Sequence, residues 1–515
     1  MTRGGGGRSD FGPLFCCYRL QIYGFCQKTT YANSGIFFIF VIMRRFILLM
    51  AGLLIGMAVS AQSSATRQLR IDLTPDGAAH MLVFFPDRPT GRAVVCCPGG
   101  GYAYLADKHE GTDWADYFLS RGITFAVVSY RMPQGDRSLP LSDVENAMRT
   151  MRDSAAVWNL NPRDIGIMGS SAGGHLASTV ATHAPYDLRP DFQILFYPVI
   201  TMGRGTHAGS RENFLGEGRT DTELVNQYSN ERQVRRNLTP PAILLLADDD
   251  RGVPPVPNGV AYYSAMRGAG NSCTLHIYPS GGHGFGYNAG FAHHGQMLAD
   301  LSAWLDNLPA PAPDAVRVAC IGDSITEGFG IDLSGSFGYP ALLQQMLGDG
   351  YLVRNYGISA RTLLRAGDYP YVREYVWEEA QAFRPDIAVI KLGTNDTKDH
   401  NWVHKADFPG DLEKMILTLQ ALPNPPKIYL CTPIPAFKST WTINDRVITE
   451  EIIPILKDAV ARYGLAGLID LHSDFAAYGN LMQEDGIHPD DAGVRKIAEI
   501  VAQALVPDAG SPLSR

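Results

Sequence analysis

The stretch that decides the fold is DIGIMGSSAGGHL, residues 164–176. It runs from an aliphatic, strand-like segment through Gly169, Ser171 and Gly173, a G-x-S-x-G pattern, into the small residues of a helix start. In this arrangement the serine lies on a strained turn, and the glycines let the strand and helix backbones approach each other. Alone the pattern is weak, because a chain with 53 glycines yields such matches by chance and a purely structural turn competes with it. Residues elsewhere must decide whether Ser171 is a nucleophile.

A serine hydroxyl needs a base to take its proton and an acid to orient that base. Two later strand-like segments end in such groups: LLLADDDRGVPP (244–255) in three aspartates, and HIYPSGGHGFG (276–286) in the glycine-flanked His283. Upstream, CCPGGGY (96–102) puts three glycines after a strand, where backbone N–H groups can approach an oxyanion. The order serine, aspartate, histidine is that of the α/β-hydrolase layout, so the sequence predicts a serine hydrolase site at these strand ends.

Strand-like and helical patterns alternate along most of the chain. Short aliphatic runs typical of buried parallel strands are followed by amphipathic helical segments, which indicates a layered α/β fold. The segment PAPAPD (309–314) interrupts this alternation, because three prolines at every second position favour an extended spacer, and the alternation then restarts. We therefore predict two three-layer α/β/α domains, residues 62–307 and 315–507, joined by a proline-rich linker (308–314) and followed by a tail (508–515).

Residues 43–61, MRRFILLMAGLLIGMAVSA, have the layout of a secretory signal peptide. Two arginines precede an apolar run, and small residues end the segment before Gln62, as a signal peptidase requires. The competing interpretation is a membrane anchor, because the apolar stretch 36–42 lies just upstream, although the arginine pair interrupts it. We expect Met43 to be the true start, residues 1–42 to be an upstream over-extension of the reading frame, and the mature protein to be secreted or periplasmic without a stable membrane anchor.

The composition argues against some classes of function. The net charge is -8, whereas a nucleic-acid-binding domain normally presents a basic face to the phosphates. The cysteines that follow the predicted signal peptide are odd in number and widely scattered, so they do not form a disulfide framework. No cysteine or histidine cluster has the spacing of a zinc site. We therefore expect neither a nucleic-acid partner nor a metal or other cofactor.

The first domain resembles the esterase- and lipase-like α/β hydrolases, a family that includes acetyl esterases acting on plant polysaccharides. The matching stretches are PGGGY, GSSAGGHLAS, DDDRGVP and YPSGGHGF, and the resemblance covers residues 66–307. It implies a triad of the nucleophile Ser171, the base His283 and the orienting acid Asp250. The last of the three aspartates is chosen because it has the family's D-x-x-V-P spacing.

The same resemblance implies an oxyanion hole built from the backbone N–H of Ala172 and that of Gly100 or Gly101. One departure bears on this hole. Many relatives have a histidine before the glycines, where this chain has Pro98, so the resemblance leaves open which glycine donates.

A second candidate nucleophile, Ser324, lies in IGDSITEG, which lacks a G-x-S-x-G turn. The case for it depends on NYGIS (355–359) and KLGTNDTK (391–398). Each stretch ends a predicted strand with a glycine, and in the second stretch Asn395 follows two residues later. Parallel strands end at one edge of a sheet. The N–H groups of Ser324 and Gly357 and the side-chain amide of Asn395 can therefore form a three-donor oxyanion hole.

Asp485 and His488 lie three residues apart in EDGIHPDDAG, before the last predicted helix. At that spacing the carboxylate can fix the imidazole tautomer while the other ring nitrogen faces the serine. Taken singly, Asp485 fits a turn or helix-capping residue and His488 a solvated loop histidine. Together with Ser324 they predict a second catalytic triad.

These segments resemble, in order and position, the sequence blocks of the SGNH/GDSL hydrolases across residues 315–507. The resemblance implies a flavodoxin-like SGNH fold. Ile325 replaces the leucine of the usual GDSL motif and Ala360 alters the usual GxSG of the second block, but neither change removes a reacting group. The stretch KIYLCTPIPAF, with a later tryptophan, is similar to the sialate O-acetylesterase-like and acetylxylan-esterase-like branch, which implies acetyl groups on sugars as the target.

The combined expectation is a secreted, bifunctional carbohydrate esterase. It would remove O-acetyl or other acyl groups from polysaccharides or oligosaccharides such as acetylated xylan, through a serine acyl-enzyme in each domain. The alternatives are that one domain is a degenerate sugar-binding module, or that the sugar is sialic acid or another acetylated glycan. A lipase or peptidase fits less well. For the aromatic residues Tyr371, Trp402 and Trp441 near the second site, we favour core packing or loop anchoring over stacking on a sugar ring.

Overall fold

The computed structural model describes residues 67–506 of the chain. The predicted N-terminal extension (1–42), signal peptide (43–61) and C-terminal tail (508–515) lie outside the described residues. Across the part that is described, no helix combines the length and apolar character needed to cross a membrane.

An eight-stranded, mostly parallel sheet forms the first domain. Its strands are β1 (Arg67–Asp72), β2 (His80–Phe85), β3 (Ala93–Cys97), β4 (Thr124–Ser129), β5 (Ile165–Ser170), β6 (Gln193–Phe196), β7 (Ala242–Ala247) and β8 (Cys273–Tyr278). They lie in the order β1-β2-β4-β3-β5-β6-β7-β8. Strand β2 pairs antiparallel with β1 and β4, and the other pairs are parallel, so the carboxyl ends of β3 to β8 meet at one edge.

Helices pack against both faces of this sheet. They are α1 (Ala115–Ser120), α2 (Ser138–Asp153), α3 (Ala155–Trp158), α4 (Ser171–His183), α5 (Ala208–Leu215), α6 (Thr222–Gln227), α7 (Ala261–Gly268) and α8 (His294–Asp306). Successive residues of β3 point to opposite faces: Val95 joins a hydrophobic cluster with α2, α4 and α7, and Val94 joins one with α1 and α8. Because β3, β5 and β7 are buried on both faces, their sequences are continuously apolar instead of alternating.

A five-stranded parallel sheet forms the second domain, in the order β10-β9-β11-β12-β13. Its strands are β9 (Val316–Gly322), β10 (Tyr351–Gly357), β11 (Ile387–Lys391), β12 (Lys427–Cys431) and β13 (Gly467–Ile469). The order reverses direction next to β9, and this switch point is where an open α/β sheet binds its ligand. The nucleophile candidate Ser324 follows β9 directly.

The helices of the second domain again form two layers. They are α9 (Ser324–Glu327), α10 (Ser334–Phe337), α11 (Tyr339–Leu347), α12 (Tyr375–Ala382), α13 (Asp399–Trp402), α14 (Phe408–Gln420), α15 (Asp445–Val447), α16 (Ile453–Arg462), α17 (Leu471–Phe475) and α18 (Asp491–Leu505). Ala319 and Ala388 face a cluster with α12, α14 and α16, whereas Val318 and Val389 face one with α11, α17 and α18. The two three-layer α/β/α folds expected from the sequence are therefore confirmed.

The proline-rich segment between the sheets is neither helix nor strand from residue 307 to residue 315. This segment is hydrogen-bonded to both domains. The Pro311 carbonyl accepts a hydrogen bond from the Asn161 amide at 2.6 Å, and the Ala312 N–H donates to the Asp349 carbonyl at 2.9 Å.

Charged and aromatic side chains also join the two domains, which belong to one compact unit. Arg189 donates to both carboxylate oxygens of Glu379, at 2.7 and 3.2 Å, and both side chains are largely buried. The ring of Tyr186 meets that of Phe383 edge-on at 5.4 Å. A bidentate pair of this kind fixes orientation as well as distance, so the second domain is held against the first in one arrangement.

Candidate active sites

Ser171 lies at the sharp turn between β5 and α4, as the G-x-S-x-G pattern predicts. Its φ of 53° falls in the left-handed region, which a serine adopts only where the surrounding fold holds it there. Gly173 shows why small residues are required, because a Cβ there would collide with the carbonyls of Cys97 and Pro98. The strained turn places the Ser171 hydroxyl at the carboxyl edge of the sheet.

The structure brings Ser171, His283 and Asp250 together. The Ser171 hydroxyl donates to Nε2 of His283 at 2.7 Å, and Nδ1–H of His283 donates to Oδ2 of Asp250 at 2.7 Å. The other Asp250 oxygen accepts the N–H groups of Gly252 and Val253, both at 2.8 Å. The carboxylate is thereby fixed, and it holds the imidazole with its basic nitrogen toward the serine.

The two neighbouring aspartates have other positions. Asp249 accepts the N–H of Gly282 at 2.7 Å, one residue before His283, and Asp248 is exposed. Asp249 therefore steadies the loop that carries His283, while Asp250 alone reaches the imidazole among the described residues.

The glycine loop after β3 lies against the nucleophile. A Cβ on Gly99 would be 3.0 Å from Cβ of Ser171, closer than a side chain tolerates. The N–H of Gly99 is already engaged, because it donates to Oε2 of the buried Glu110 at 2.8 Å. Gly99 is thus a structural member of this loop, and the donors to an oxyanion must come from its neighbours.

Three backbone N–H groups remain available beside Ser171. In the described part of the chain, neither Gly100 nor Gly101 donates its N–H to another group, and both have positive φ, 122° and 65°. Ala172 is the second residue of α4, where a backbone N–H has no partner within its own helix. Gly100, Gly101 and Ala172 therefore all keep an N–H that an oxyanion can accept.

Glu110 and Tyr197 are two buried residues that the sequence reasoning missed. Tyr197 donates from its hydroxyl to Oε1 of Glu110 at 2.8 Å, and that hydroxyl accepts the N–H of Gly286 at 2.8 Å. Burial raises the pKa of Tyr197 well above its ordinary value, so it stays a neutral donor. Its ring packs edge-on against the imidazole of His283, with the ring centres 4.9 Å apart.

His207 borders the same loop. Its Nδ1 accepts the N–H of Ser210 at 3.2 Å and so caps α5, and its Cε1 would lie 3.5 Å from a Cβ on Gly101. Burial, and then the positive charge of a protonated His283, lower the pKa of His207. His207 therefore adds a neutral polar ring beside the oxyanion loop.

A second triad is assembled on the other sheet. The Ser324 hydroxyl donates to Nε2 of His488 at 2.8 Å, and Nδ1–H of His488 donates to Oδ2 of Asp485 at 2.7 Å. The other Asp485 oxygen accepts the N–H groups of Ile487 and His488, both at 2.8 Å. Burial opposes ionisation of Asp485, but these hydrogen bonds outweigh it and lower its pKa.

A buried ion pair holds the helix that carries Ser324. Nζ of Lys391, at the end of β11, lies 2.9 and 3.1 Å from the two carboxylate oxygens of Asp323. One of those oxygens also accepts the N–H of Ile325 at 3.1 Å and so caps the short helix α9. A lysine ending a buried strand was the signal in the sequence, since a buried ammonium needs a carboxylate partner.

The prediction that Gly357 donates to the second oxyanion was wrong. Its N–H already donates to Oδ1 of Asn355 at 2.9 Å, within the end of β10, so it is not free. Ala360, three residues on, has a left-handed φ of 66° and an N–H without a partner among residues 67–506. The donor that Gly357 was expected to supply is therefore available at Ala360.

Asn395 lies just after β11, as predicted from the sequence. One hydrogen of its side-chain amide donates to the Arg361 carbonyl at 3.2 Å, next to Ala360, which leaves the other hydrogen for a ligand. The neighbouring Asp396 accepts the N–H groups of Leu363 and Leu364 at 3.1 and 2.7 Å, and burial raises its pKa to about 7. The whole loop that contains Ala360 is thus tied to the end of β11.

Two exposed aromatic side chains flank the second histidine. The ring centre of Phe329 lies 4.5 Å from that of His488, and the ring centre of Trp441 lies 5.6 Å away. About half of each side chain is exposed, 46% for Phe329 and 53% for Trp441, and Trp441 has a left-handed φ of 53°. Of the two expectations for Trp441, core packing or loop anchoring, core packing is therefore wrong.

The same interpretation is confirmed for the other two aromatic residues. Tyr371 is fully buried and its hydroxyl donates to the Tyr356 carbonyl at 2.6 Å. Trp402 is buried against Phe408, with ring centres 5.6 Å apart.

Each site contains a serine, a histidine and an aspartate joined by hydrogen bonds, with N–H groups nearby in the chain that have no other partner among the described residues. Those parts are what acyl transfer through a covalent serine intermediate requires. Within residues 67–506, no three His, Cys, Asp or Glu side chains are grouped so that they could hold a metal ion, and the five cysteines there are free thiols.

Comparison with known protein families divides the chain into the same two domains. Residues 94–286 match the alpha/beta hydrolase fold family, and residues 320–496 match the GDSL-like Lipase/Acylhydrolase family. An acetylxylan esterase of Xylanibacter ruminicola is 52% identical over 477 residues, which span 89% of this chain and 99% of that protein. Endo-1,4-beta-xylanase B of Butyrivibrio fibrisolvens is 37% identical over 206 residues, 37% of this chain and 32% of that enzyme. The solved acetyl ester-xyloside bifunctional hydrolase from Caldicellulosiruptor lactoaceticus matches 48% of this chain and 98% of its own, with 29% identity and a TM-score of 0.45.

Proposed function

Because the chain belongs to the acetylxylan esterase family represented by the Xylanibacter ruminicola protein, and is a serine carboxylic-ester hydrolase, we propose that it deacetylates xylan or xylan oligomers at two separate active sites. The observation that carries the proposal is the pair of complete triads. In each one, the serine-to-histidine and histidine-to-aspartate hydrogen bonds are 2.7 or 2.8 Å long. A degenerate sugar-binding module would have no need to keep all three groups in register.

The same chemistry applies to both sites. The histidine Nε2 takes the serine proton while the serine oxygen attacks the acetyl carbonyl, and the backbone N–H donors hold the resulting oxyanion. The protonated histidine then gives its proton to the departing sugar hydroxyl, which leaves an acetyl-serine. A water molecule, deprotonated by the same histidine, attacks this ester, and acetate leaves as the serine recovers its proton.

A sugar substrate for the second domain is supported by Phe329 and Trp441. Two half-exposed aromatic rings next to the imidazole of His488 are suited to the apolar face of a pyranose ring. The cost of holding Trp441 at a left-handed φ also favours a functional position for it over an incidental one.

We also propose that the protein is exported and acts outside the cytoplasm, as residues 43–61 suggest. Fractionation of cells that express the full chain should recover the enzyme in the periplasm or the medium, and N-terminal sequencing of that material should begin at Gln62. Recovery in the cytoplasm with an intact N-terminus would overturn this part of the proposal.

The substrate is tested by acetate release from acetylated xylan, xyloglucan, pectin and O-acetylated sialic acid. Acetylated xylan and its oligomers should give the highest kcat/KM, and xylan that has been deacetylated with alkali serves as the blank. If O-acetylated sialic acid or pectin were hydrolysed well and acetylated xylan were not, the xylan assignment would be wrong although the esterase chemistry would stand.

A further inference from the structure

A loop of the first domain reaches the helix that carries the second nucleophile. The loop is the Arg236–Asn237 pair, which lies between α6 and β7, and its target is Glu327, the last residue of α9. Nε of Arg236 lies 3.1 Å from Oε1 of Glu327, and the side-chain amide of Asn237 donates to the Glu327 carbonyl at 3.2 Å. Glu327 is three residues from Ser324 on a helix of four residues, so these contacts act on the nucleophile's own turn.

Glu327 passes this contact on to the oxyanion loop of the second domain. Its other carboxylate oxygen accepts the hydroxyl of Ser359, the residue before Ala360. Its carbonyl also accepts the side-chain amide of Asn355 at 3.4 Å, and Asn355 in turn accepts the N–H of Gly357. The position of the Ala360 N–H therefore depends on where Glu327 is held.

The loop of the first domain is itself firmly anchored. The N–H of Asn237 donates to Oδ1 of Asn271 at 2.8 Å, and the amide of Asn271 donates to the Arg235 carbonyl at 3.0 Å. Nη2 of Arg236 donates to the Gly268 carbonyl at 3.0 Å. Arg236 and Asn237 are therefore positioned by their own domain before they meet Glu327.

From these contacts we propose that Arg236 and Asn237 of the first domain are positioning residues for the second active site, an inference that rests on the proposed role of Ser324 as a nucleophile. They hold Glu327, and through Ser359 they hold the oxyanion donor at Ala360 relative to Ser324. The first domain thus completes the second catalytic centre and is not only its neighbour on the chain. Both residues act through Glu327, so we expect their effect to fall on the transition state and not on substrate binding.

The test uses the full chain with Ser171→Ala, in which the remaining activity belongs to Ser324. In this background Arg236→Gln removes the charge that faces Glu327. We expect it to lower kcat for p-nitrophenyl acetate by roughly 10- to 100-fold, because a displacement of about 1 Å in a catalytic group costs that much, with KM changed less than about twofold. Arg236→Lys, which keeps the positive charge, should recover most of the rate.

Arg267→Gln is the matched control. Arg267 also reaches from the first domain to the second, where Nη2 lies 3.4 Å from the exposed Asp332, but it does not contact Glu327. This control should keep the kcat of the Ser171→Ala parent. Glu327→Gln should lose as much as Arg236→Gln, and the two together should lose no more than either alone, because they break one linkage.

An Arg236→Gln variant with the parent's kcat would overturn the inference, and so would an equal loss in Arg267→Gln, which would point to general docking of the domains. A Ser171→Ala parent that hydrolyses no ester would instead overturn the proposed activity of the second domain, and this inference with it. The activity of the Ser171→Ala parent alone therefore distinguishes the two failures.

Discussion

The hydroxyl of Tyr197 donates a hydrogen bond to Glu110 at 2.8 Å inside the first domain. The remaining carboxylate oxygen of Glu110 accepts the N–H of Gly99, and the Tyr197 hydroxyl accepts the N–H of Gly286, three residues beyond His283. A single buried carboxylate, with Tyr197, therefore connects the glycine loop beside Ser171 with the loop that carries His283.

Glu110→Gln should therefore impair catalysis without touching the triad. The Gly99 N–H and the Tyr197 hydroxyl donate to different carboxylate oxygens of Glu110, and glutamine replaces one of these oxygens with an NH2 group that cannot accept. We expect kcat of the first domain, measured in a Ser324→Ala background, to fall about 100-fold, the size of losing one oxyanion donor. Glu223→Gln, at an exposed position, is the control and should keep full activity. Equal rates for the two variants would show that Glu110 does not position the hole.

Ala360 gives a prediction about backbone conformation. Its φ of 66° strains an alanine but not a glycine, and its N–H, which has no partner among residues 67–506, is the donor that we propose for the second oxyanion hole. Ala360→Gly should therefore keep kcat within about twofold and leave the free energy of unfolding unchanged or raised by up to about 1 kcal/mol. Ala360→Val, whose branched side chain resists this conformation, should lower kcat about tenfold or more. If Ala360→Val kept full activity, the Ala360 N–H would not be a donor to the oxyanion.

The aromatic side chains beside His488 predict a defect that depends on the substrate. Trp441→Ala should raise KM for acetylated xylo-oligosaccharides roughly three- to tenfold, because an aromatic contact contributes about 0.5–1.5 kcal/mol, and leave KM for p-nitrophenyl acetate nearly unchanged. Phe337→Ala, which removes another exposed ring of the same domain, is the control. If Trp441→Ala changed both substrates equally, the ring would act on the fold of the loop and not on the sugar.

Asp485 predicts how the stability of the second domain depends on pH. Its pKa is lower in the folded chain than the ordinary value of 3.8, so its ionised form stabilises the fold above that pH, and the contribution is lost as the pH falls through the lower folded value. The difference in unfolding free energy between the parent and Asp485→Asn should therefore persist from pH 7 to pH 5 and shrink below about pH 3.8. Urea denaturation at these pH values measures it, and a difference that already shrinks between pH 7 and pH 5 would contradict the pKa shift.

The elements that the sequence predicted best are those with a local signal. Ser171 and Asp250 follow buried, largely apolar strands and His283 follows the last strand of the same sheet, and parallel strands place such ends at one edge without further information. Part of the second triad also has a local signal, because Asp485 and His488 are only three residues apart.

The missed residues depend on contacts that no local pattern encodes. Glu110 and Tyr197 are 87 residues apart, and neither stands out until the fold brings them together. Gly357 was chosen because it ends a predicted strand at the edge of the sheet that carries Ser324, but the Asn355 side chain accepts its N–H. Trp441 lies in a loop, where periodicity says nothing about which side faces solvent.

The most direct test of two active sites on one chain is a comparison of four proteins: the parent, Ser171→Ala, Ser324→Ala and the double variant. Acetate release from acetylated xylan and hydrolysis of p-nitrophenyl acetate are measured for each. Each single variant should keep the activity of the other domain, while the double variant should retain only the residual rate of a site without its nucleophile, at least about 10⁴-fold below the parent. A single replacement that abolishes hydrolysis of both substrates would contradict the account, because it would leave only one catalytic domain.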